Sequence, residues 1–346
     1  MNNNPFLLRS CAVKKRKFPL QIVFFVIIPM MLVIIDVIYQ RYSAFTQMAQ
    51  AASSDTYIKW VDFNVSTQAL KDAYKYDVDS YGTDAHASMS EILAYLCSKN
   101  GNNFDSYNTS SFTALTDRLR AGETMSEISA GLKLYSYYYE SMEAVVGGFV
   151  GEYETVSGEK KYGLKVFSPI AEGYYYNHYD DFGASRSFGF KREHLGHDLM
   201  GSVGTPVIAV ESGYVEAIGW NPYGGWRIGI RSFDGKRYYY YAHLRKNHPY
   251  TDMHEGKIVN AGEVIGYLGM TGYSTKENTN NISTPHLHYG LQLIFDKSQK
   301  DGNNQIWIDM YALTDFLRLQ KASVVKDSEA NEYYSTNSIV DSNAPD

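Results

Sequence analysis

Residues 18–39 form an apolar run in which only Gln21 and Asp36 are strongly polar, and five cations (Arg9, Lys14, Lys15, Arg16, Lys17) precede it with no acid among them. As a helix, a segment of this length spans roughly 33 Å at 1.5 Å per residue, enough to cross the hydrocarbon core of a bilayer. Such a segment excludes the plainest globular fold. The cations place the N-terminus on the cytoplasmic side and everything after residue 39 outside. Pro19 falls in the first turn, where a missing N–H costs little, and Pro29 sits mid-span, where membrane helices tolerate a kink. Ala49-Gln50-Ala51 fits a signal-peptidase pattern, but the run exceeds the ~7–15 residues of a signal-peptide core. The expectation is an uncleaved single-pass anchor in the cell membrane, with residues 1–17 as a cytoplasmic basic segment and residues 40–57 as a linker.

The formal charge of -6 divides accordingly: residues 1–17 carry +5, so the remainder carries -11. An acidic exported body argues against nucleic acid as a partner. The two cysteines, Cys11 and Cys97, fall on opposite sides of the expected membrane and cannot pair. Cys97 lies in an apolar helical stretch and reads as a buried thiol.

From residue 58 to 150 the periodicity is helical. Ser88-Met89-Ser90-Glu91 and Thr124-Met125-Ser126-Glu127 are both capping boxes. The second opens a run, Ile128, Leu132, Tyr135, Tyr139 and Met142, spaced close to 3.6. Earlier helices are expected over residues 67–76 and 112–120. We expect a small helical domain on its own core, with an envelope protein as its possible partner. From about residue 165 to 320 the pattern becomes short alternating runs with turn signals. Val156-Ser157-Gly158-Glu159 suggests a hairpin, and Asp234-Gly235 reads as a two-residue hairpin turn. The fold class is therefore α+β overall: a transmembrane helix, a helical domain, then an all-β antiparallel domain. Residues 321–346, rich in Ser, Asn and Asp, read as a disordered tail.

Eight of the nine histidines lie between His178 and His288. In a strand, His286 and His288 project to one face, ~7 Å apart, so one can hold a metal while the other faces a substrate. His194 and Asp198 would stand ~13 Å apart on a straight strand and can share an ion only if Gly196 bends the chain. Two imidazoles and a carboxylate suit zinc, and three protein ligands leave a position open for water. A lone His-x-His or His-x-x-x-Asp is weak; the two together in one exported β domain are specific.

Arg192-Glu193-His194-Leu195-Gly196-His197-Asp198, Gly204-Thr205-Pro206-Val207, Tyr241-Ala242-His243-Leu244, Gly269-Met270-Thr271-Gly272 and Pro285-His286-Leu287-His288, with Phe182-Gly183 ahead of them, resemble the M23 (lysostaphin/LytM-type) zinc metallopeptidases over residues 182–317. The resemblance implies one Zn²⁺ per chain on His194, Asp198 and His288. It also implies catalytic roles for His243 and His286, and peptidoglycan peptides as substrate. The alternative it carries is a non-catalytic scaffold or activator of the same fold in an envelope complex. Three features depart from the family: His197, which alternates away from Asp198 and reads as a non-ligand; a long loop between Tyr273 and Pro285; and an insertion at 296–305. Among the 31 tyrosines, Tyr239 and Tyr241 share His243's face by alternation. They are expected either to line a groove or to pack as ordinary sheet aromatics.

Overall fold

The computed structural model describes residues 57–344 except Gly189 and Asn303. The expected membrane helix at 18–39 and nearly all of the linker lie outside these; among the described residues no helix is long and apolar enough to cross a membrane.

Among the described residues, five helices come first: α1 (Thr67–Ser80), α2 (Met89–Asn100), α3 (Ser110–Arg120), α4 (Met125–Ser129) and α5 (Tyr135–Val146). Both expected capping boxes form, at Ser88/Glu91 and Thr124/Glu127. The run expected to continue from Ile128 to Met142 instead breaks after α4 and restarts at Tyr135. Gly131 sits in the break, where it costs a helix about 1 kcal/mol relative to Ala.

The strands are β1 (Val150–Thr155), β2 (Lys160–Leu164), β3 (Asn177–His178), β4 (Ser185–Phe188), β5 (Phe190–Glu193), β6 (His197–Met200), β7 (Pro206–Ile208), β8 (Gly213–Asn221), β9 (Gly225–Ser232), β10 (Arg237–Ala242), β11 (Ile258–Val259), β12 (Val264–Tyr267), β13 (His286–Leu293) and β14 (Ile306–Ile308). After a last helix, α6 (Tyr311–Leu317), come β15 (Val324–Asp327), β16 (Glu332–Ser335) and β17 (Ile339–Asp341). The main sheet is antiparallel in the order β11-β8-β9-β10-β13-β6-β3, with β14 also against β13. Gly158 has φ 82° between β1 and β2, as the hairpin expectation requires. The β9–β10 connection is a correction: it is a four-residue loop, 233–236, not a two-residue turn. Its shape is held by the Asp234 carboxylate, which accepts from Ser232 Oγ at 2.6 Å and from the Lys236 N–H at 3.0 Å.

Two further expectations fail. The helices do not pack on a core of their own: one apolar cluster runs from Val61 through Leu96 and Phe149 to Leu291 and Phe316. Phe316 of α6 meets Tyr74 of α1 edge-on at 5.8 Å and stacks on Phe149 at 6.4 Å. Helix α2 is buried at eight of its twelve positions, so it needs partners on several sides. The tail is not disordered through most of its length. β15 pairs with β16, and β17 adds to β1. Ile339 is buried against Phe167 and Ala261, and Lys165 pairs with Asp341 at 2.7 Å in a site where both are nearly buried. A few anchors of this kind outweigh a polar composition. Cys97 is buried and free, and burial raises its thiol pKa to about 12.

Candidate metal and catalytic site

Pairing of β6 with β13 sets Asp198 directly opposite His288 and His197 opposite Tyr289. Directly opposed residues have Cβ atoms ~4.5–5.5 Å apart, so Asp198 and His288 meet on one face while His197 points to the other. Before β6 the chain turns off the sheet at Gly196 and brings His194 back over the same face. A Cβ at Gly196 would lie 2.5 Å from His288 Cε1 and Nε2. We therefore expect Gly196→Ala to displace the His288 ring and weaken any metal affinity of the triangle at least tenfold, measured by chelator competition; unchanged affinity would show the ring is free to move.

His194 Nε2 stands 3.0 Å from Asp198 Oδ1 and 3.0 Å from His288 Nδ1, and the last two atoms are 2.9 Å apart. Ligand atoms on a tetrahedral zinc at ~2.0–2.1 Å are separated by about 3.3 Å. The triangle is thus slightly tight but of the right size for one ion, and these three residues form a cluster able to hold a metal. Burial disfavours the Asp198 carboxylate, but hydrogen bonds from His194 and His288 outweigh it and hold its pKa far below the usual carboxylate range. Burial also opposes charge on His194, yet Asp198 and Asp181 raise its pKa overall, whereas burial lowers that of His288. Metal binding would require both ligand imidazoles to be free of a proton at the coordinating nitrogen.

Next to the triangle stand the two other expected histidines. His286 lies two residues before His288 on the same face, its Nε2 3.8 Å from Asp198 Oδ1. His243 follows the last residue of β10, and its ring centroid is 4.8 Å from that of His286. His243 has φ 61°, a left-handed conformation that costs a non-glycine residue roughly 1–2 kcal/mol. Two bonds hold it there: its N–H donates to the Gly224 carbonyl at 2.7 Å, and Nδ1–H donates to the Thr271 carbonyl at 2.8 Å. His286 Nδ1 likewise bonds the Thr284 carbonyl at 2.8 Å. In both rings Nδ1 is taken up by a backbone carbonyl, which leaves Nε2 as the ring nitrogen available for chemistry. Burial, then His286 and His288, depress the His243 pKa well below its usual value, so the ring is neutral.

The left-handed residue also corrects the reading of the tyrosines. Alternation is interrupted at His243, so Tyr239 and Tyr241 do not share its face. Both are fully buried on the core side, where Tyr239 OH donates to Glu211 at 2.8 Å and Tyr241 OH accepts from the Val210 N–H at 2.9 Å. It is Tyr240 that lines the catalytic cleft, a cavity of about 220 Å³. His197 lies outside the His194–Asp198–His288 triangle: it is buried and bonds His178 at 2.8 Å, and burial pushes its pKa down to about 3.

Sequence reasoning missed Arg186 and Arg192, which line the cleft, and Asp181, which stands behind His194. Arg186 pairs with Asp181 and reaches 3.6 Å from Asp198 Oδ2. Asp181 in turn approaches His194 Nδ1 through its backbone carbonyl at 3.2 Å and through its carboxylate at 3.2 Å. The carbonyl contact has hydrogen-bond geometry and the carboxylate contact does not. Arg192 lies over the rings of Tyr223 and Tyr273 at 5.3 and 5.2 Å and closes one wall. Nothing in the spacing of these residues marks them. The long loop after Tyr273 folds back on the rim: Asn278 accepts from Trp226 Nε1 at 2.9 Å and from the Asn247 N–H at 2.8 Å.

Residues 192–303 match the model of peptidase family M23. The chain is 42% identical over 123 residues to the L-Ala–D-Glu endopeptidase of Bacillus subtilis, a stretch covering 36% of each chain. It is 40% identical over 97 residues to lysostaphin of Staphylococcus simulans, covering 28% of this chain and 17% of that one. The matches therefore span well under half the length of these relatives. The solved catalytic domain of S. simulans lysostaphin aligns at 30% identity over 40% of this chain and 92% of its own, with a TM-score of 0.32.

Proposed function

Since residues 192–303 are a segment of peptidase family M23, we propose that this chain is a zinc-dependent endopeptidase hydrolysing peptide bonds of bacterial peptidoglycan, anchored in the membrane by residues 18–39. The observation that carries the reading is the triangle of His194 Nε2, Asp198 Oδ1 and His288 Nδ1, with two Nε2-free imidazoles beside it. The printed names of the relatives support the substrate: one is an L-Ala–D-Glu endopeptidase, and another, from Vibrio cholerae, is a peptidoglycan DD-endopeptidase.

His194, Asp198 and His288 would hold the ion. When bound, zinc polarises a carbonyl and acidifies water to a pKa near 7. The remaining work falls to the chain. The sheet and the Arg192–Tyr273 wall confine the peptide over the triangle. His243 and His286 are oriented by the Thr271 and Thr284 carbonyls, and one of the two would accept a proton at Nε2 from the attacking water. An imidazolium so formed can return the proton to the leaving amine and, before that, stabilise negative charge on the carbonyl oxygen.

Incubating the full chain with isolated wall peptides tests this. We expect cleavage that stops with chelator, returns with zinc, and accompanies one zinc per chain. Absent or chelator-insensitive cleavage overturns the reading. Deleting residues 18–39 should move the protein out of the membrane fraction; unchanged sedimentation with membranes would overturn the anchor.

A further inference from the structure

Strand β13 has two edges. β10 covers one along residues 288–293; on the other, β6 pairs with residues 286–289 and β14 with residues 291–293. The chain leaves the sheet between β6 and β14, at Leu195 and Gly196. Among the described residues no strand pairs with the outer edge of β14, and an edge of that kind can receive a further extended chain. Facing it across a groove of about 510 Å³ runs the extended segment 59–64. Val61, Phe63 and Val65 are buried and alternate with Trp60, Asp62 and Asn64, the period-two pattern of an extended chain. This wall is fastened: the carbonyls of Ile58, Trp60 and Asp62 accept from Gln299, Tyr137 and Asn102 at 2.8, 3.1 and 2.9 Å.

The groove adjoins the cleft that holds the histidines, since Glu193 and Leu195 line both. Its volume falls within the ~300–1,000 Å³ of ordinary ligand sites. Its lining sets two tryptophans, Trp60 (62% exposed) and Trp307, beside three carboxylates, Asp62, Glu193 and Asp309, against one cation, Lys59. An open strand edge recognises an extended peptide through its backbone, and aromatic faces beside carboxylates recognise a cation.

We propose that the β14 groove is a substrate subsite that takes an extended peptide arm bearing a free amino group, laid along β14 and leading into the metal site. This rests on the peptidase reading above and deepens it by assigning a substrate class. It also gives the N-terminal region a role, since segment 59–64 forms one wall.

The test uses the full chain and three fluorescein-labelled peptide amides, Gly-Ala-Lys-Ala-Gly, its Nε-acetyl-lysine form, and its form N-methylated at both alanines. Binding is read by anisotropy and probe integrity by mass. We expect the free-amine probe to bind about tenfold more tightly than either modified probe. Asp62→Asn with Asp309→Asn should bring it level with the acetylated one. Asp309 Oδ1 now accepts from the Tyr311 N–H at 2.8 Å, and the amide oxygen introduced by Asp309→Asn can still do so. If the double variant melts early, Asp62→Asn alone is used and should at least halve the gap. Equal affinities, no binding, or a gap that survives substitution would overturn the subsite. Wall-peptide cleavage by the same preparation separates the two readings: an active enzyme indifferent to the probes overturns the subsite alone.

Discussion

Alanine at His243 should lower peptide hydrolysis by roughly 10²–10⁴-fold while zinc stays at one per chain. His243 is absent from the ligand triangle, so metal binding should survive its loss. The backbone supplies the control. At φ 61° a new side chain sits in left-handed space, where alanine is strained and asparagine is well tolerated. His243→Asn therefore removes the imidazole with little backbone penalty. Both variants should show the same loss of rate, and His243→Asn should melt close to the parent. An asparagine variant that kept the parental rate would remove His243 from the chemistry. Strain at a residue that also faces the metal triangle fits a pattern in which unfavourable conformations are kept where function uses them.

The second large effect concerns stability. Arg237 is 2% exposed and makes a two-pronged pair with Glu211, Nε to Oε2 at 2.8 Å and Nη2 to Oε1 at 2.9 Å. It also bonds Asp234 at 3.0 Å and the Ala144 carbonyl at 3.1 Å, at the end of α5. One guanidinium thus ties the sheet to the helices, and the chain passes so close at Gly148 that a Cβ there would overlap both Arg237 and Glu211. Arg237→Ala would strand a buried carboxylate and open the α5 end. Breaking one side of such a pair costs about 3–5 kcal/mol, or roughly 6–20 °C in melting temperature. Replacing both partners, Arg237→Met with Glu211→Met, should recover part of the loss: the unpaired charge is gone, but the buried Tyr239 hydroxyl loses Glu211 as its acceptor. A single variant melting within ~2 °C of the parent would show the pair to be dispensable.

The site was legible in the sequence to an unequal degree. His194, Asp198, His286 and His288 stand in short segments whose spacing already implies shared faces and a bend at Gly196. Local geometry therefore carried most of the information. His243 was legible only through resemblance, since its position depends on Gly224 and Thr271, far away in the chain. The choice of Tyr240 over Tyr239 and Tyr241 could not be read from alternation, which a single left-handed residue interrupts. Arg186, Asp181 and Arg192 reach the cleft through contacts that leave no periodic trace.

Capping residues alone specified where α2 and α4 begin, and hydrophobic alternation specified that the second half is antiparallel β; the histidine and aspartate spacings marked side chains able to share an ion, and the family resemblance named the set. These follow from interactions within a few residues. The tertiary structure decided what those elements share. One core unites the helices with the sheet, and β17 pairs with β1 across nearly two hundred residues. Segment 59–64 stands opposite the open edge of β14 as the wall of a groove. Such long-range juxtapositions depend on burying apolar faces that the sequence exposes one at a time, and their partners emerge only when the whole chain competes for the same interior.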